Sequence, residues 1–255
     1  MQSKYNDLTD LQWKVIEVFL ENNKPRKLCL RMVMNAILNI TRTGSQWRNL
    51  DSRFPNWQSV YYYFSKWKKD GTLKLIMCEL SILDRGLSHR ELEPSLIAVD
   101  SQSIKLAPML NVARGVDGNK KINGRKRHIA VDCGGRLFAV YVGPANEHDG
   151  HAGLELLSQV ESVSSRLEVI RADKAYGGTF KKSAKYFDWK VDTTQSPPSK
   201  DRGFVPENHR WQVERSFAWL NGYRRLSKDY ERDPASSEAF ISLAFINMML
   251  ARIDS

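Results

Sequence analysis

The sequence predicts a mixed α/β fold that follows a small helical module. Apolar residues recur at helical spacing over residues 1 to about 75, and strand patterns are scarce there. Beyond about residue 94, short apolar runs alternate with helical segments, and residues 132–135 give a strong hairpin signal. We therefore predict a helical DNA-binding module over 1–75, a connecting segment over 76–93, and a mixed sheet flanked by helices over 94–255.

Composition indicates a folded, basic protein. Of the 255 residues, 42% are hydrophobic and 27% are charged, which excludes wholesale disorder, a collagen-like repeat and a coiled coil. The 39 Lys and Arg against 29 Asp and Glu give a net charge of +10, which favours nucleic acid as a partner. Three separated cysteines support neither a zinc ribbon nor a disulfide framework. Because the first residues lack an apolar signal core, we expect a cytoplasmic protein, nucleoid-associated when bound to DNA.

Three helices are predicted in the N-terminal module. The polar pair at residues 9–10 can cap the first of them. The second begins at about Leu30 and ends at Gly44, and the third covers residues 57–69 before an Asp-Gly pair. Aromatic residues of the third helix can pack in a core or stack on bases. We expect packing for four of them, with Tyr62 and Tyr63 freer: Trp57, Tyr61, Phe64 and Trp67.

The second region is predicted to contain five strands and four helices. Its first strand is a short apolar run that is typical of a strand buried on both faces. The last helix is apolar but too short and too interrupted to span a membrane, so we expect it in the core. The predicted strands are 96–99, 128–131, 137–142, 167–172 and 189–194, and the predicted helices are 149–160, 181–187, 207–226 and 237–253.

Three carboxylates are the candidate catalytic residues. Asp100 and Asp173 each follow a predicted strand, and a crossover that returns one strand beside the other would bring them together. Two such carboxylates repel each other unless a counter-charge is present, and oxygen ligands favour Mg²⁺ or Mn²⁺. Glu214 borders an apolar helix stripe and is a third candidate ligand. Considered singly, each aspartate is typical of a turn or helix-cap residue. Considered singly, Glu214 is typical of a residue that forms an ion pair with Arg210 or Arg215.

A basic segment precedes the predicted hairpin. Such a run is a solvated loop or a surface that contacts phosphates, and its place beside the candidate metal site favours DNA contact. Lys174 and Tyr176, directly after Asp173, could also contact phosphate, although a surface role is an equal alternative. The basic segment comprises Lys120, Lys121, Arg125, Lys126 and Arg127.

A histidine cluster offers a different metal site. His148, Asp149 and His151 lie within four positions. We favour the interpretation in which Asp149 caps a helix and His148 makes hydrogen bonds in a loop. Asp132, which precedes two glycines, is interpreted as a turn residue.

Several motifs resemble bacterial insertion-sequence DDE transposases, most closely the insertion-sequence-five group. The similarity spans nearly the whole chain, and several of the motifs are long enough to be specific. They are residues 42–50 (RTGSQWRNL), 99–103 (VDSQS), 124–128 (GRKRH), 172–176 (ADKAY), 213–220 (VERSFAWL) and 223–232 (YRRLSKDYER).

The resemblance implies a ribonuclease H-like catalytic domain whose metal-binding triad is Asp100, Asp173 and Glu214. It also implies DNA cleavage at element ends and 3′-OH strand transfer with Mg²⁺ or Mn²⁺, by a homodimer that binds terminal inverted repeats and target DNA. Two alternatives remain open. One is a catalytically inactive, transposase-derived DNA-binding protein, and the other is a structure-selective nuclease of the same fold.

The glutamate helix departs in part from the family signature. Arg210 fits the arginine of that signature, four residues before Glu214. Glu207 and Asn221 stand where the family has tyrosine and lysine. Other basic residues could make the DNA contacts of those two positions: Arg215, Arg224 and Arg225.

Overall fold

The structure, a computed structural model, describes residues 7–20, 27–162, 164–193 and 211–254. Helices dominate the first part of the chain and alternate with strands in the second. The α-helices are α1 (Asp10–Leu20), α2 (Leu30–Thr43), α3 (Trp57–Lys69), α4 (Thr72–Leu87), α5 (Asp149–Glu161), α6 (Thr179–Lys185), α7 (Trp211–Leu220) and α8 (Pro234–Ile253).

The strands form one mixed sheet in the order β4-β3-β1-β5-β6, with β2 paired to β3. β1 runs antiparallel to β3 and parallel to β5. Short 3₁₀ turns follow β5 and α7. The strands are β1 (Leu96–Lys105), β2 (Gly115–Asp117), β3 (Ile122–Val131), β4 (Leu137–Pro144), β5 (Val169–Arg171) and β6 (Lys190–Asp192).

Helices cover both faces of the sheet. On one face, Ala98 and Ile129 pack in a large apolar cluster with α7, α8 and the four N-terminal helices. On the other face, Ile97 and Val99 pack against α5 and α6. Alternate residues of β1 thus enter different cores, as expected for a strand buried on both sides. The predicted mixed α/β sheet and the helical N-terminal region are confirmed.

Helix α4 begins at Thr72 and occupies most of the predicted connecting segment, residues 76–93. Leu73, Ile76 and Leu80 are buried at helical spacing. The pattern is hard to recognise because Asp84 and Arg85 are buried in the same helix. Ser81 is buried as well, and its hydroxyl donates to the carbonyl oxygens of Met77 and Leu137.

A buried ionic network ties α4 to the hairpin between β3 and β4. Arg136 pairs with Asp84 through Nε at 2.6 Å and with Asp132 through Nη1 at 3.1 Å. Arg85 also pairs with Asp132. Asp132 accepts the backbone N–H groups of Gly134 and Arg136, which confirms its predicted turn role. Each buried carboxylate therefore has cationic and hydrogen-bonding partners, without which its burial would be costly.

The basic segment is divided between a turn, which contains Lys120 and Lys121, and the strand β3. β3 begins at Ile122, so Arg125, Lys126 and Arg127 belong to the sheet, and they pair with residues 102–104 of β1. Side chains of a strand point to alternate faces, so Arg125 and Arg127 lie on one side and Lys126 on the other. Charge alone suggested exposure, whereas the segment that follows α7 covers Arg125 and Arg127.

The last helix is a core helix, as predicted. Asp233 caps α8 by accepting the Ala235 N–H, and Pro234 occupies its first turn. The helix is long and apolar enough to cross a membrane, but 67% of its apolar window is buried inside the protein. Phe240 and Phe245 are among its fully buried residues.

Candidate active site

Asp173 follows the end of β5, whereas Asp100 lies in the middle of β1, just beyond the part of β1 that pairs with β5. The predicted strand 96–99 is too short, because β1 continues to Lys105 in its pairing with β3. The register pairs Ala98 of β1 with Arg171 of β5, and each aspartate lies two residues beyond its strand's member of this pair. Asp100 Oδ1 accepts the Ser101 N–H at 2.7 Å, and Asp173 Oδ1 accepts the Ala175 N–H at 2.8 Å. The fold therefore places the two aspartates at equivalent positions of neighbouring strands.

Helix α7 brings Glu214 to the sheet face on which Asp100 lies. Asp100 is opposite Ile129 in the antiparallel register, and paired residues share a face. Ile129 packs in the same apolar cluster as Val213 and Phe217 of α7. Glu214 itself is exposed in the first turn of this helix. Glu207 and Arg210 lie outside the described residues.

The three carboxylates are not gathered into one metal-binding group. In the described part of the chain, no three Asp, Glu, His or Cys side chains are placed to hold a metal ion together. The carboxylates of Asp100 and Asp173 belong to neighbouring strands and are hard oxygen donors, the ligand type that Mg²⁺ and Mn²⁺ prefer. Glu214 would have to approach them to complete the set.

A polar network lies on the opposite face of β1 and holds the strand beside Asp100. The Ser101 hydroxyl donates to Asp149 Oδ2 at 3.0 Å, and Lys126 Nζ pairs with Asp149 Oδ1 at 2.6 Å. Next to this pair, His128 Nδ1 and the Tyr176 hydroxyl are 2.8 Å apart, and both residues are fully buried. The network thus holds Ser101, which follows Asp100, and the 3₁₀ turn at residues 174–176, which follows Asp173.

Burial keeps the two aromatic members of this network uncharged. The pKa of Tyr176 lies well above its usual value because the hydroxyl is buried and because Asp149 and Asp100 are near it. Burial also lowers the pKa of His128 to about 4, so its imidazole is neutral at pH 7. Tyr176 is therefore not an exposed phosphate contact. In the sequence, Tyr176 lies between the small residues Ala175 and Gly177, shortly after an apolar strand, and this pattern indicates burial.

The histidine cluster is explained by capping and ion pairing. His148, and not Asp149, is the N-cap of α5, where its Nδ1 accepts the Gly150 N–H at 3.1 Å. Asp149 instead faces Ser101 and Lys126. His151 is exposed and lies 3.5 Å from Glu147. The predicted cap at Asp149 is wrong because its carboxylate is held by the sheet.

The family model described as Transposase DDE domain matches residues 91–250, which include Asp100, Asp173 and Glu214. The chain belongs to this family. A second model, described as a transposase of the IS4/5 family, matches residues 8–77 of this DDE-domain protein. Both matches agree with the resemblance that the sequence motifs indicate.

One curated relative has a low sequence identity to this chain. A Burkholderia cepacia relative, described as a transposase for insertion sequence element IS402, is 28% identical over 127 residues. The alignment covers 47% of this chain, and the chain spans only 60% of that relative's length.

Two solved structures are also similar, but only weakly. They are the Mos1 strand transfer complex (13% identity, TM-score 0.32) and the Mos1 transposase paired-end complex with the left transposon end (11%, 0.33). Each match covers 92% of this chain and 78% or 79% of the other. The ribonuclease H-like assignment rests on the sheet itself, in which four antiparallel strands, β1 to β4, are followed by β5 and β6, which run parallel to β1.

Three of the basic residues that we predicted at the DNA are buried, and two of them, Arg125 and Arg127, lie in β3. The Arg125 guanidinium is fully buried, pairs with Asp229 at 3.1 Å and donates to the carbonyl oxygens of Val112 and Arg232. Arg127 is buried too, and its guanidinium donates to Gln102. The DNA-contact prediction for these two arginines is wrong because their donors are used inside the fold.

The other predicted DNA contacts differ in exposure. Lys126 is nearly covered and pairs with Asp149, while Arg225 is buried and pairs with Glu231 at 2.6 Å. Arg215 is half-buried and lies 4.2 Å and 4.7 Å from the ring centroids of Trp211 and Trp219. Arg210 lies outside the described residues. The exposed members of the predicted set are Lys120, Lys121, Lys174 and Arg224.

Proposed function

We propose that this protein is a DNA transposase that cleaves DNA at element ends and transfers the resulting 3′-OH ends into target DNA. One observation carries the proposal. Within the matched DDE region, Asp100 and Asp173 lie two residues beyond the paired Ala98 and Arg171 of the adjacent parallel strands β1 and β5, and the helix of Glu214 covers the sheet face on which Asp100 lies. Helical packing of the IS4/5-type region on the same core supports a role for residues 1–75 in binding element ends.

We further propose that Asp100, Asp173 and Glu214 hold Mg²⁺ or Mn²⁺. When bound, such ions stabilise charge on the attacking and leaving oxygens of a phosphodiester, so no nucleophilic side chain is needed. Asp100 and Asp173 provide the preformed half of the site. Glu214 provides the rest when the first turn of α7 approaches the strand ends. Ser101 and Asp149 keep β1 in place while this occurs.

Conservative substitution of each carboxylate tests the proposal. Asp100→Asn, Asp173→Asn and Glu214→Gln should each reduce Mg²⁺-dependent cleavage at least about a hundredfold, because each removes a charge that binds the cation. DNA binding should remain measurable. The assay maps products from a duplex that carries the flanking repeats of the element. Glu168→Gln is the matched control, because this exposed carboxylate lies just before β5, at the end remote from Asp173. Full activity of all three variants would contradict the assignment.

A catalytically inactive DNA-binding protein is the second candidate, and one observation favours it. Glu214 is not gathered with the two aspartates in the described structure. That alternative predicts DNA binding without any Mg²⁺-dependent nicking. A structure-selective nuclease would cut DNA without joining a 3′ end to a target, so a strand-transfer assay on the same duplex separates all three functions.

Partners and location follow from the proposed reaction. Exposed Lys120, Lys121, Lys174 and Arg224 are proposed to contact the phosphate backbone of terminal repeats or target DNA. A homodimer that pairs two element ends is proposed on the same basis, as is a cytoplasmic location on nucleoid DNA. Sedimentation of the protein with and without end DNA would test the dimer.

A further inference from the structure

A wide cleft separates the helical N-terminal region from the segment that follows α7. Its volume is about 650 Å³, and it is open to solvent. Its lining comes from residues 44–48 after α2, from α3, and from Arg225 and Tyr230. The residues that define it are Trp47, Arg48, Trp57, Tyr61, Arg225 and Tyr230.

Aromatic rings form the walls of this cleft and leave large surfaces exposed. Tyr61 is 46% exposed and Tyr230 is 47% exposed, although both are large aromatic side chains. The prediction that Tyr61 packs in the core is therefore wrong, whereas Phe64 and Trp67 are buried as predicted. Trp47 lies edge-on to Tyr61, with 5.1 Å between ring centroids, and also contacts Phe64. Trp47 and Tyr61 are thus held in place before any ligand arrives, which lowers the entropy cost of binding.

The charge of the cleft favours an anionic ligand. The exposed Arg48 guanidinium lies 5.6 Å from the centroid of the Trp57 ring. Arg224 is also exposed, and its backbone passes so close to Gly44 that a Cβ there would be 3.2 Å from the Arg224 carbonyl carbon. Arg225 is balanced by Glu231. Among the described residues that line the cleft, none is acidic.

We infer that the cleft binds an unpaired segment of DNA, whose bases stack on Tyr61 and Tyr230 and whose phosphates face Arg48 and Arg224. Stacking requires bases with free faces, which duplex DNA does not offer, whereas aromatic rings beside cations suit a single strand. This inference rests on the proposed function, because DNA cleavage and transfer expose unpaired ends.

The position of the cleft fits a strand that leaves the candidate active site. Tyr230 follows Asp229, whose N–H donates to the carbonyl of Lys105 at the end of β1. Asp100 lies five residues earlier on that strand. At about 3.3 Å per residue, the two points are roughly 17 Å apart along β1. A single strand released near Asp100 could therefore extend along this strand into the cleft.

Single-strand binding by aromatic variants tests the inference. The probe is a short fluorescent oligothymidylate, compared with a duplex of equal length, with EDTA present so that no cleavage occurs. Tyr61→Ala and Tyr230→Ala should each weaken oligothymidylate binding about tenfold and leave duplex binding unchanged. Tyr61→Phe should bind like the wild type because its ring is retained. Tyr62→Ala is the matched control, since Tyr62 is 62% exposed on the same helix and lies outside the cleft.

Three results would overturn the inference. They are unchanged oligothymidylate binding by both alanine variants, an equal loss in Tyr62→Ala, and an equal loss for duplex DNA. Thermal unfolding of each variant detects a folding defect, and Tyr230→Ala is the safer variant because Tyr230 lies in a loop. Binding is measured in EDTA and is independent of cleavage. If the wild-type protein binds oligothymidylate as expected but does not cleave DNA, the proposed reaction is wrong and the inference about the cleft stands. If it cleaves DNA but the alanine variants bind oligothymidylate normally, the inference about the cleft is wrong and the proposed reaction stands.

Discussion

Glu238 is a carboxyl group on the inner side of α8, where its Oε1 accepts the Val142 N–H at 2.9 Å. Burial raises its pKa to about 7, against about 4.3 for an unfolded chain. The folded protein therefore holds a proton that the unfolded chain releases. The stability that comes from protonated Glu238 is complete below about pH 4 and is lost as the pH rises through about 7.

Glu238→Gln should remove this pH dependence. The amide keeps an acceptor for Val142 and cannot ionise, so the stability of the variant relative to the wild type should increase by roughly 2 kcal/mol between pH 5 and pH 8. Urea denaturation at the two pH values measures this difference. Buried His128, with its pKa lowered to about 4, acts in the opposite sense but equally in both proteins. Exposed Glu79→Gln is the control, and a relative stability of Glu238→Gln that does not change with pH would contradict the prediction.

For single residues, the sequence predicts the acidic site residues better than the basic ones. Asp100 and Asp173 could be predicted together because each follows a short apolar run, and strand order then places these runs on neighbouring strands. Arg125 could not be distinguished from Lys121 by type or spacing. The difference between them arises from Asp229, which is 104 residues away in the chain and covers only Arg125.

Among the elements, the pairing of β1 with β3 depends on Gly124. A Cβ at this position would lie 2.0 Å from the backbone oxygen of Ile104 and 2.7 Å from the Leu106 nitrogen. Neither atom can move away without separating the two strands. The absence of a side chain therefore permits the close approach at which β1 ends.

Gly124→Ala should destabilise the protein by about 2 kcal/mol or more, because backbone atoms must shift to admit the methyl group. Gly118→Ala is the matched control, since a Cβ there meets nothing within 4 Å. Chemical denaturation of both variants compares them directly. Equal stabilities would show that the strands tolerate the added carbon.

Other elements were harder to predict for physical reasons. Helix α4 carries buried polar and ionic groups, which interrupt the apolar spacing that reveals α2 and α3. The first half of β3 is basic because its side chains meet carboxylates and carbonyl groups of distant segments. In both cases long-range pairing, which no local pattern reports, decides the structure.

For the whole molecule, the net charge of +10 predicts salt-sensitive DNA binding. Lys121→Ala should weaken binding to duplex DNA and flatten the plot of log affinity against log salt concentration by about 0.9 if Lys121 neutralises one phosphate. Lys190→Ala carries the same charge change at the start of β6, the end of the parallel strands remote from Asp173, and should leave the slope unchanged. Fluorescence anisotropy over a salt series measures both slopes. Identical slopes for the two variants would exclude Lys121 from the interface.

The large apolar cluster described above includes residues from α1 to α4 together with Ile129 of β3 and Phe240 of α8. A chimera that took its first ninety residues from another member of the family would therefore have to match the inner surface of α8 as well. The proposed recognition of element ends and the proposed chemistry on them would be physically coupled in this way. A change of DNA specificity by module exchange would carry a folding cost, whereas point changes on the outer surfaces of α2 and α3 would not.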